Sequence, residues 1–317
     1  VETIQDVFCE HSTAPIWDHS SQTFYFIDVS GNAVHRYQPE TKFHDVLRIH
    51  RDKKVAFVAL TEDSDVLLVG CGNSVFKVFI EKDNRMRLDY ESTIGMDITV
   101  DMSKYRFVLG KCSPYGELFF TAESKSIGAK HSENLLFRMV APKEKANSTH
   151  QQYLLQEVIH EEKAPGCPTG LCWDHGGRSL YVTDGDAKRL LRYVSVPFRS
   201  TLENREDVID FASIADGVPS GVAVDKKGYV WVAIDGAGEI ICIDPSKGFG
   251  KGVVVHRVKM PVRNVTSCTF GGPNLEHLYV TSNRPVSTAK KAAIEGSLFR
   301  IALPGSVHGS AGAYKWK

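Results

Sequence analysis

The sequence predicts an all-β protein, a single six-bladed β-propeller that spans residues 1–317 and is closed into a ring by an N-terminal strand. Three observations predict this fold. One strand–turn–strand pattern recurs six times along the chain, its strand-forming runs are short and rich in Val, Ile, Tyr and Phe, and Gly, Asp or Asn bounds each run. A repeat of about 40–50 residues made of paired strands is typical of propeller blades.

Each copy of the pattern begins with an apolar residue before a turn and continues with two runs of strand-forming residues. The copies begin at Trp17, Leu60, Cys112, Trp173, Val224 and Phe270. The paired runs are Phe24–Asp28 with Ala33–Tyr37, Val66–Val69 with Val75–Ile80, Leu118–Thr121 with Asn134–Val140, Ser179–Asp184 with Arg189–Tyr193, Tyr229–Ile234 with Glu239–Asp244, and Leu278–Ser282 with Ser297–Ile301.

The alternative fold is a β-sandwich followed by a second β-domain. The propeller is favoured because the six copies fill the chain and no Pro/Gly/Ser-rich linker divides it into two unlike halves. The sequence predicts a strand at Thr3–Cys9, and this strand has no partner in its own copy of the pattern. We expect it to pair with the last blade, which would close the ring and leave no open sheet edge there.

Composition limits the classes of partner. Hydrophobic residues make up 42% of the chain, and 38 Lys and Arg balance 38 Asp and Glu. A formal net charge of zero gives no electrostatic reason to expect nucleic acid or a membrane surface as partner. No apolar run approaches the roughly 18 residues that a transmembrane helix needs. We therefore expect neither nucleic acid nor a membrane as a partner, and the sequence leaves the oligomeric state open.

Cellular location is indicated by two weak features. The chain starts with Val, and the sequon Asn147-Ser148-Thr149 lies in a polar stretch that reads as an exposed loop. We expect a secreted protein with a glycan at Asn147, with a cytoplasmic protein as the alternative.

The seven cysteines leave at least one thiol unpaired. Cys167 and Cys172 flank a predicted turn and could form a local disulfide.

Five stretches of the chain resemble, in order, motifs of the regucalcin/gluconolactonase/luciferin-regenerating enzyme family. The first three are A-P-I-W-D, G-K-C-S-P-Y-G and T-G-L-C-W; the fourth is P-S-G with the A-V-D and G-Y-V-W-V-A that follow it; the fifth is F-G-G-P-N with the later L-Y-V-T-S. These stretches begin at Ala14, Gly110, Thr169, Pro219 and Phe270. The resemblance covers essentially the whole chain and implies the same propeller fold.

The resemblance also implies a particular metal site. The family holds one divalent cation at the propeller centre, with ligands from a Glu, an Asn and an Asp. The matching positions in this chain hold Thr13, Thr169 and Ser220, and a further family Asn and the acid beside it align with Val108 and Leu109. The sequence therefore resembles a divergent member that lacks the metal ligands.

The repeat itself gives a second argument. Each of the three ligand positions lies four residues before the start of its copy, and the same offset selects one residue in each of the six copies. We call these six the channel ring: Thr13, Ala56, Val108, Thr169, Ser220 and Thr266. The ring contains no carboxylate, imidazole or amide, whereas Ca²⁺ and Mg²⁺ need several hard oxygen ligands and Zn²⁺ needs His, Cys or carboxylate. We expect no divalent metal or other cofactor at the centre.

These features favour a non-catalytic or weakly catalytic protein that binds a small organic molecule in its channel. Pigments or other hydrophobic metabolites are candidates by resemblance to arthropod members of the family. The candidate binding residues are Thr13, Arg106, Val108, Lys111, Thr169, Asp184, Ser220 and Thr266. One alternative is a lactonase or esterase whose metal is relocated or absent, with roles for Asp184, Arg106 and Lys111. The other is a propeller that binds a protein partner through long insertions between blades, such as Lys143–Gln156 and Arg199–Asp210. No catalytic residue is singled out.

Overall fold

Six β-sheets follow one another along the chain in the computed structural model, and together they form the six-bladed propeller that the sequence predicts. The structure describes residues 1–49, 53–98, 101–125, 134–140, 152–159, 165–196, 201–247, 250–284, 294–310 and 313–317. Within these residues the only helical turns are the short 3₁₀ segments Met102–Lys104 and Pro245–Lys247. No helix in the described residues is long and apolar enough to cross a membrane.

The strands are numbered in chain order and grouped by blade. Blade 1 holds β2 (Ser12–Asp18), β3 (Thr23–Asp28), β4 (Ala33–Gln38) and β5 (Phe43–Arg48). Blade 2 holds β6 (Val55–Leu60), β7 (Val66–Cys71), β8 (Ser74–Ile80) and β9 (Met86–Thr93). Blade 3 holds β10 (Gly95–Ile98), β11 (Tyr105–Cys112), β12 (Leu118–Ser124), β13 (Leu135–Val140) and β14 (Gln152–Ile159), with β10 parallel to β14 at its outer edge.

The second half of the ring repeats this arrangement. Blade 4 holds β15 (Pro168–Trp173), β16 (Ser179–Asp184), β17 (Arg189–Val196) and β18 (Thr201–Asp210). Blade 5 holds β19 (Val218–Val224), β20 (Val230–Asp235), β21 (Glu239–Asp244) and β22 (Val253–Lys259). Blade 6 holds β23 (Val265–Gly271), β24 (His277–Ser282), β25 (Ser297–Ala302) and, as its outer strand, β1 (Glu2–Phe8).

The first strand of each blade, or β11 in blade 3, is the innermost one. Each innermost strand contacts those of both neighbouring blades, so β2, β6, β11, β15, β19 and β23 form a closed circle around the central channel. β1 pairs antiparallel with β25, so the two ends of the chain share one sheet. Opening the ring would therefore require breaking a strand ladder, and not merely separating two packed faces.

Aromatic side chains fill the interfaces between blades. The ring of Trp17 in blade 1 stacks on Tyr279 in blade 6 at 5.3 Å between centroids. Phe119 in blade 3 meets the edge of Trp173 in blade 4 at 4.9 Å. All four residues are almost completely buried. Large buried rings of this kind contribute more than their area alone, which helps to hold neighbouring sheets in register.

The C-terminal tail, residues 308–310 and 313–317, crosses the end of the channel where the innermost strands finish. The backbone N–H of Trp316 donates to the Leu60 carbonyl at the end of β6, at 2.9 Å. The Ser310 hydroxyl donates to the Val224 carbonyl at the end of β19, at 2.9 Å. The tail therefore covers this end, and the opposite end, where the innermost strands begin, is called the mouth.

The disulfide considered between Cys167 and Cys172 does not form, because all seven cysteines are free thiols. The predicted turn between them is strand β15, so the two residues lie five positions apart on an extended chain. Five residues of strand span roughly 16 Å, far beyond the ~7 Å limit between the Cα atoms of a disulfide.

Candidate binding site in the central channel

The six positions of the channel ring are structurally equivalent. Each lies near the start of an innermost strand, where the pairing with the second strand of the blade is irregular. Ala56, Val108, Thr169, Ser220 and Thr266 are skipped by the register, and Thr13 is the last paired residue before the break. Bulges of this kind re-aim side chains and occur next to functional sites.

Two of the ring hydroxyls are occupied by hydrogen bonds between blades. Thr169 Oγ1 in blade 4 donates to the carbonyl of Pro219 in blade 5 at 2.7 Å. Thr266 Oγ1 in blade 6 donates to the carbonyl of Ser12 in blade 1 at 2.5 Å. The acceptor in each case is the residue just before the ring position of the next blade. These hydroxyls join neighbouring innermost strands, so their protons are not free for a ligand.

Two glycines next to ring positions allow the innermost strands to approach closely. A Cβ on Gly170 would lie 2.6 Å from the Ser220 carbonyl oxygen, and one on Gly221 would lie 1.8 Å from Ser267 Oγ. Real Cβ atoms do not come this close to other heavy atoms, so any side chain here would push two blades apart. The Gly after Thr169 and the Gly after Ser220 are thus explained by packing.

Lys111 brings a positive charge into the channel. This residue lies on β11 of blade 3, and its Nζ is 3.4 Å from the carbonyl of Pro15 in blade 1. Blades 1 and 3 are not neighbours, so the side chain reaches across the channel. Pro15 lies two residues after Thr13 on β2, whereas Lys111 lies near the end of β11. The Lys111 side chain therefore extends from its Cα toward the mouth. Among the described residues Lys111 forms no ion pair.

Below Lys111 the channel is nearly filled. A cavity of about 10 Å³ lies between Lys111, Cys172, Val222 and Tyr314 of the C-terminal tail, and this volume holds about one water molecule. Burial raises the pKa of the Cys112 thiol to about 12, against the opposing effect of Lys111. A thiol with so high a pKa is a poor nucleophile. This cavity is too small for an organic ligand.

Asp184 has a structural role. Its carboxylate accepts hydrogen bonds from the backbone N–H groups of Gly166 at 2.7 Å, Cys167 at 3.2 Å and Ala187 at 3.1 Å. It thereby fixes the chain that enters β15 to the turn after β16. Asp28 does the same in blade 1, which shows that this is a feature of the repeat.

Arg106 also has a local partner. Its guanidinium Nε lies 2.5 Å from Glu123 Oε1 on the paired strand β12, and the side chain is exposed near the start of β11. The structure thus brings Thr13, Val108, Ser220 and Lys111 to the channel with free or partly exposed surface. Arg106 and Asp184 are held by neighbours in their own blades. Asn147, the predicted glycan site, lies outside the described residues.

Sequence reasoning missed Asp235. It ends β20 as Asp28 ends β3 and Asp184 ends β16, so it is the blade 5 equivalent of two structural acids. Its Oδ1 atom, however, is buried and has no hydrogen-bond partner among the residues that the structure describes. Burial raises the pKa of this carboxyl, although a backbone bond from Gly236 and the charge of His11 oppose the shift. The repeat position was visible in the sequence, but the missing partners were not.

Comparison with known proteins places the chain in a family. The sequence profile of the SMP-30/gluconolactonase/LRE-like region matches residues 11–284. The chain belongs to this family. It is 27% identical over 283 residues to the pentonolactonase XacC of Haloferax volcanii, which covers 89% of this chain and 84% of the relative. It is 27% identical over 271 residues to the regucalcin of Xenopus laevis, covering 85% of this chain and 82% of that protein.

A solved structure gives the same fold. A luciferin-regenerating enzyme superimposes with a TM-score of 0.82 at 24% identity, covering 100% of this chain and 99% of that enzyme. The propeller architecture is therefore shared with this family over the whole chain. The chemistry of the channel is a separate matter, because it depends on the few residues described above.

Proposed function

We propose that the chain is a small-molecule-binding protein on a gluconolactonase-like propeller, and that its ligand presents an anionic or strongly polarised oxygen to Lys111. The observation that carries the proposal is the reach of the Lys111 ammonium group across the channel to the carbonyl of Pro15, its one partner in the described part of the chain. An ammonium group has three N–H donors, so two remain for a ligand. Charge-assisted hydrogen bonds of this type are the strong ones.

The same charge argues against a divalent cation at the channel ring. The ring residues are neutral, and the hydroxyls of Thr169 and Thr266 already donate to backbone carbonyls. A cation placed there would gain no carboxylate and would be repelled by Lys111. A ligand with negative charge or a carbonyl dipole suits this environment better. Thr13 and Ser220 can supply hydroxyls to it, and Val108 can supply apolar contact.

Hydrolysis of a lactone or ester is the second candidate, and two observations favour it. A relative with 27% identity is named as a pentonolactonase, and Lys111 could polarise a carbonyl without a metal. Binding alone is preferred because the groups available near Lys111 are weak nucleophiles. The Cys112 thiol stays protonated, and the Thr169 hydroxyl is engaged between blades.

The test combines native mass spectrometry with a matched pair of variants. Protein from its natural source should carry an organic mass. Recombinant protein should bind aldonates or aldonolactones in calorimetry, after chelator treatment, with no turnover. Lys111→Met should weaken binding by about 10- to 100-fold, the equivalent of about 1.5–3 kcal/mol for a hydrogen bond to a charged group. Lys104→Met is the control, because Lys104 is exposed and pairs with Asp101 at 3.6 Å.

Two results would overturn the proposal. The first is lactone hydrolysis that disappears with chelator and returns with a divalent cation, which would make the chain a metal-dependent lactonase. The second is binding that is equally tight in Lys111→Met and in the control. Hydrolysis that survives chelation but is lost in Lys111→Met would favour the second candidate.

A further inference from the structure

A second cluster of reactive side chains lies outside the channel ring, where the N-terminal segment meets blade 1. Cys9 follows strand β1, Asp28 ends β3 and His35 lies on β4. One ligand atom from each of the three lies within 4.8 Å of the other two. The three residues are 4%, 6% and 6% exposed. The channel function uses none of them.

The spacing of the donor atoms fits a metal ion. Cys9 Sγ and His35 Nε2 are 3.9 Å apart, which is long for a direct hydrogen bond. Zinc–sulfur and zinc–nitrogen bonds of about 2.3 and 2.0–2.1 Å, meeting at a tetrahedral angle, place the two ligand atoms about 3.6 Å apart. A movement of a few tenths of an ångström would therefore bring both onto one ion.

The carboxylate has a coordination position left. Asp28 Oδ1 accepts the backbone N–H groups of His11 at 3.1 Å and Gly31 at 2.9 Å, and Oδ2 accepts that of Glu10 at 3.1 Å. A carboxylate has about four lone-pair sites, so Oδ2 retains one. The three backbone bonds hold the group in place, as the outer hydrogen bonds of metal-binding carboxylates do.

The imidazole is oriented in the same way. His35 Nδ1 lies 3.0 Å from His44 Nε2, on the side of the ring away from Cys9. A metal-binding His usually donates its second N–H to a neighbour, which fixes the tautomer and leaves the first nitrogen free to bind. His44 provides that neighbour if its Nε2 accepts the proton.

We infer that Cys9, Asp28 and His35 form a binding site for one divalent transition-metal ion of the zinc class. The donor set of sulfur, nitrogen and oxygen suits Zn²⁺ and excludes Mg²⁺ and Ca²⁺, which prefer oxygen. One thiolate, one carboxylate and one neutral imidazole balance the double charge of the ion, as a buried site requires. Binding releases the Cys9 thiol proton to solvent. Three protein donors leave the fourth position to a water molecule.

The position of the site gives it a structural purpose. Cys9 directly follows the strand that completes blade 6, and its N–H donates to the Gly296 carbonyl of that blade at 2.9 Å. Asp28 and His35 belong to blade 1. An ion bound to all three ties blade 6 to blade 1 at the place where the ring closes. Because the ion binds the folded ring and not the unfolded chain, it stabilises the closed propeller.

The first experiment uses the intact protein after metal removal and titration with Co²⁺. A thiolate-to-cobalt charge-transfer band in the near ultraviolet, one Co²⁺ per chain, and a rise in Tm with added Zn²⁺ are expected. Absence of the band and of any rise in Tm in the wild-type protein would refute the site, whatever the variants do.

Variants then assign the ligands. Cys9→Ser should lower bound zinc about tenfold or more, measured by plasma mass spectrometry, whereas Cys268→Ser, a change at an equally buried thiol in blade 6, should not. His44→Phe keeps the three donors and should weaken zinc binding about 10- to 100-fold. Equal zinc content in Cys9→Ser and wild type would also overturn the inference. Lys111→Met should leave zinc binding unchanged, so this result is independent of the channel proposal.

Discussion

The hydroxyl of Thr266 should contribute measurably to stability, because it joins blade 6 to blade 1. Its side chain is 3% exposed, and its Oγ1 donates to the carbonyl of Ser12, which is fully buried. Thr266→Val keeps the shape of the side chain and removes the donor. A buried carbonyl that loses a hydrogen bond costs about 1–3 kcal/mol. We expect a loss of that size in the free energy of unfolding.

Urea denaturation measures this loss. The midpoint should fall while the m-value stays constant, since the change does not alter the area exposed on unfolding. Thr13→Val is the matched control. It changes the same residue type at the equivalent ring position of blade 1, where the hydroxyl makes no hydrogen bond within the described residues. Its effect should stay within about 0.5 kcal/mol.

A double-mutant cycle sharpens the test. Thr266 Oγ1 and Thr281 Oγ1 lie 2.8 Å apart, so the two hydroxyls share a hydrogen bond. The effects of Thr266→Val and Thr281→Val should therefore be non-additive by at least about 0.5 kcal/mol. A Thr266→Val protein as stable as wild type, or an equal loss of stability in Thr13→Val, would refute this role of the Thr266 hydroxyl.

Three further predictions concern other contacts. Gly221→Ala should lower stability by several kcal/mol or prevent folding, because its Cβ would overlap Ser267. Gly305→Ala should fold normally, because a Cβ on Gly305 would have no neighbour within 4 Å. Thermal melts of the two variants compare these effects. Asp235→Asn should stabilise the protein at pH 7 but not at pH 4. The pKa of Asp235 is raised in the folded protein, so ionisation of this carboxyl at higher pH opposes folding. Urea midpoints of wild type and variant at both pH values measure the difference in stability. Trp316→Ala should cost about 3–5 kcal/mol by removing a buried ring from the C-terminal tail, and an unchanged Tm would show that the tail does not stabilise the ring.

The number of blades could be predicted because the second and third strands of each blade are short runs of strand-forming residues bounded by turns. β3, for example, is buried at all six positions. The outermost strands gave no such signal. β18 alternates weakly and keeps most of its side chains in partial contact with solvent, so Arg199–Asp210 was interpreted as an insertion when Thr201–Asp210 is the outer strand of blade 4.

The channel ring was predictable for the same reason as the blades. A repeat with a fixed offset selects equivalent positions. In the structure five of the six are skipped by the strand register, and Thr13 is the last paired residue before the break. What these side chains do was not predictable. Whether the hydroxyl of Thr169 faces a ligand or a carbonyl depends on the neighbouring blade, which is 50 residues away in sequence. The same holds for Lys111, whose acceptor at Pro15 is 96 residues away.

The sequence by itself determined the fold class, the number of blades, the neutral character of the channel ring and the resemblance to a known family. These follow from local periodicity and from residue types at repeating positions, both of which can be read along the chain. The tertiary structure decided which polar groups are already satisfied. It showed that Asp184 is held by backbone N–H groups, that Lys111 crosses the channel, and that Cys9 meets His35. Hydrogen bonds and ligand sets are made between segments distant in sequence, so only the closed ring brings their members together.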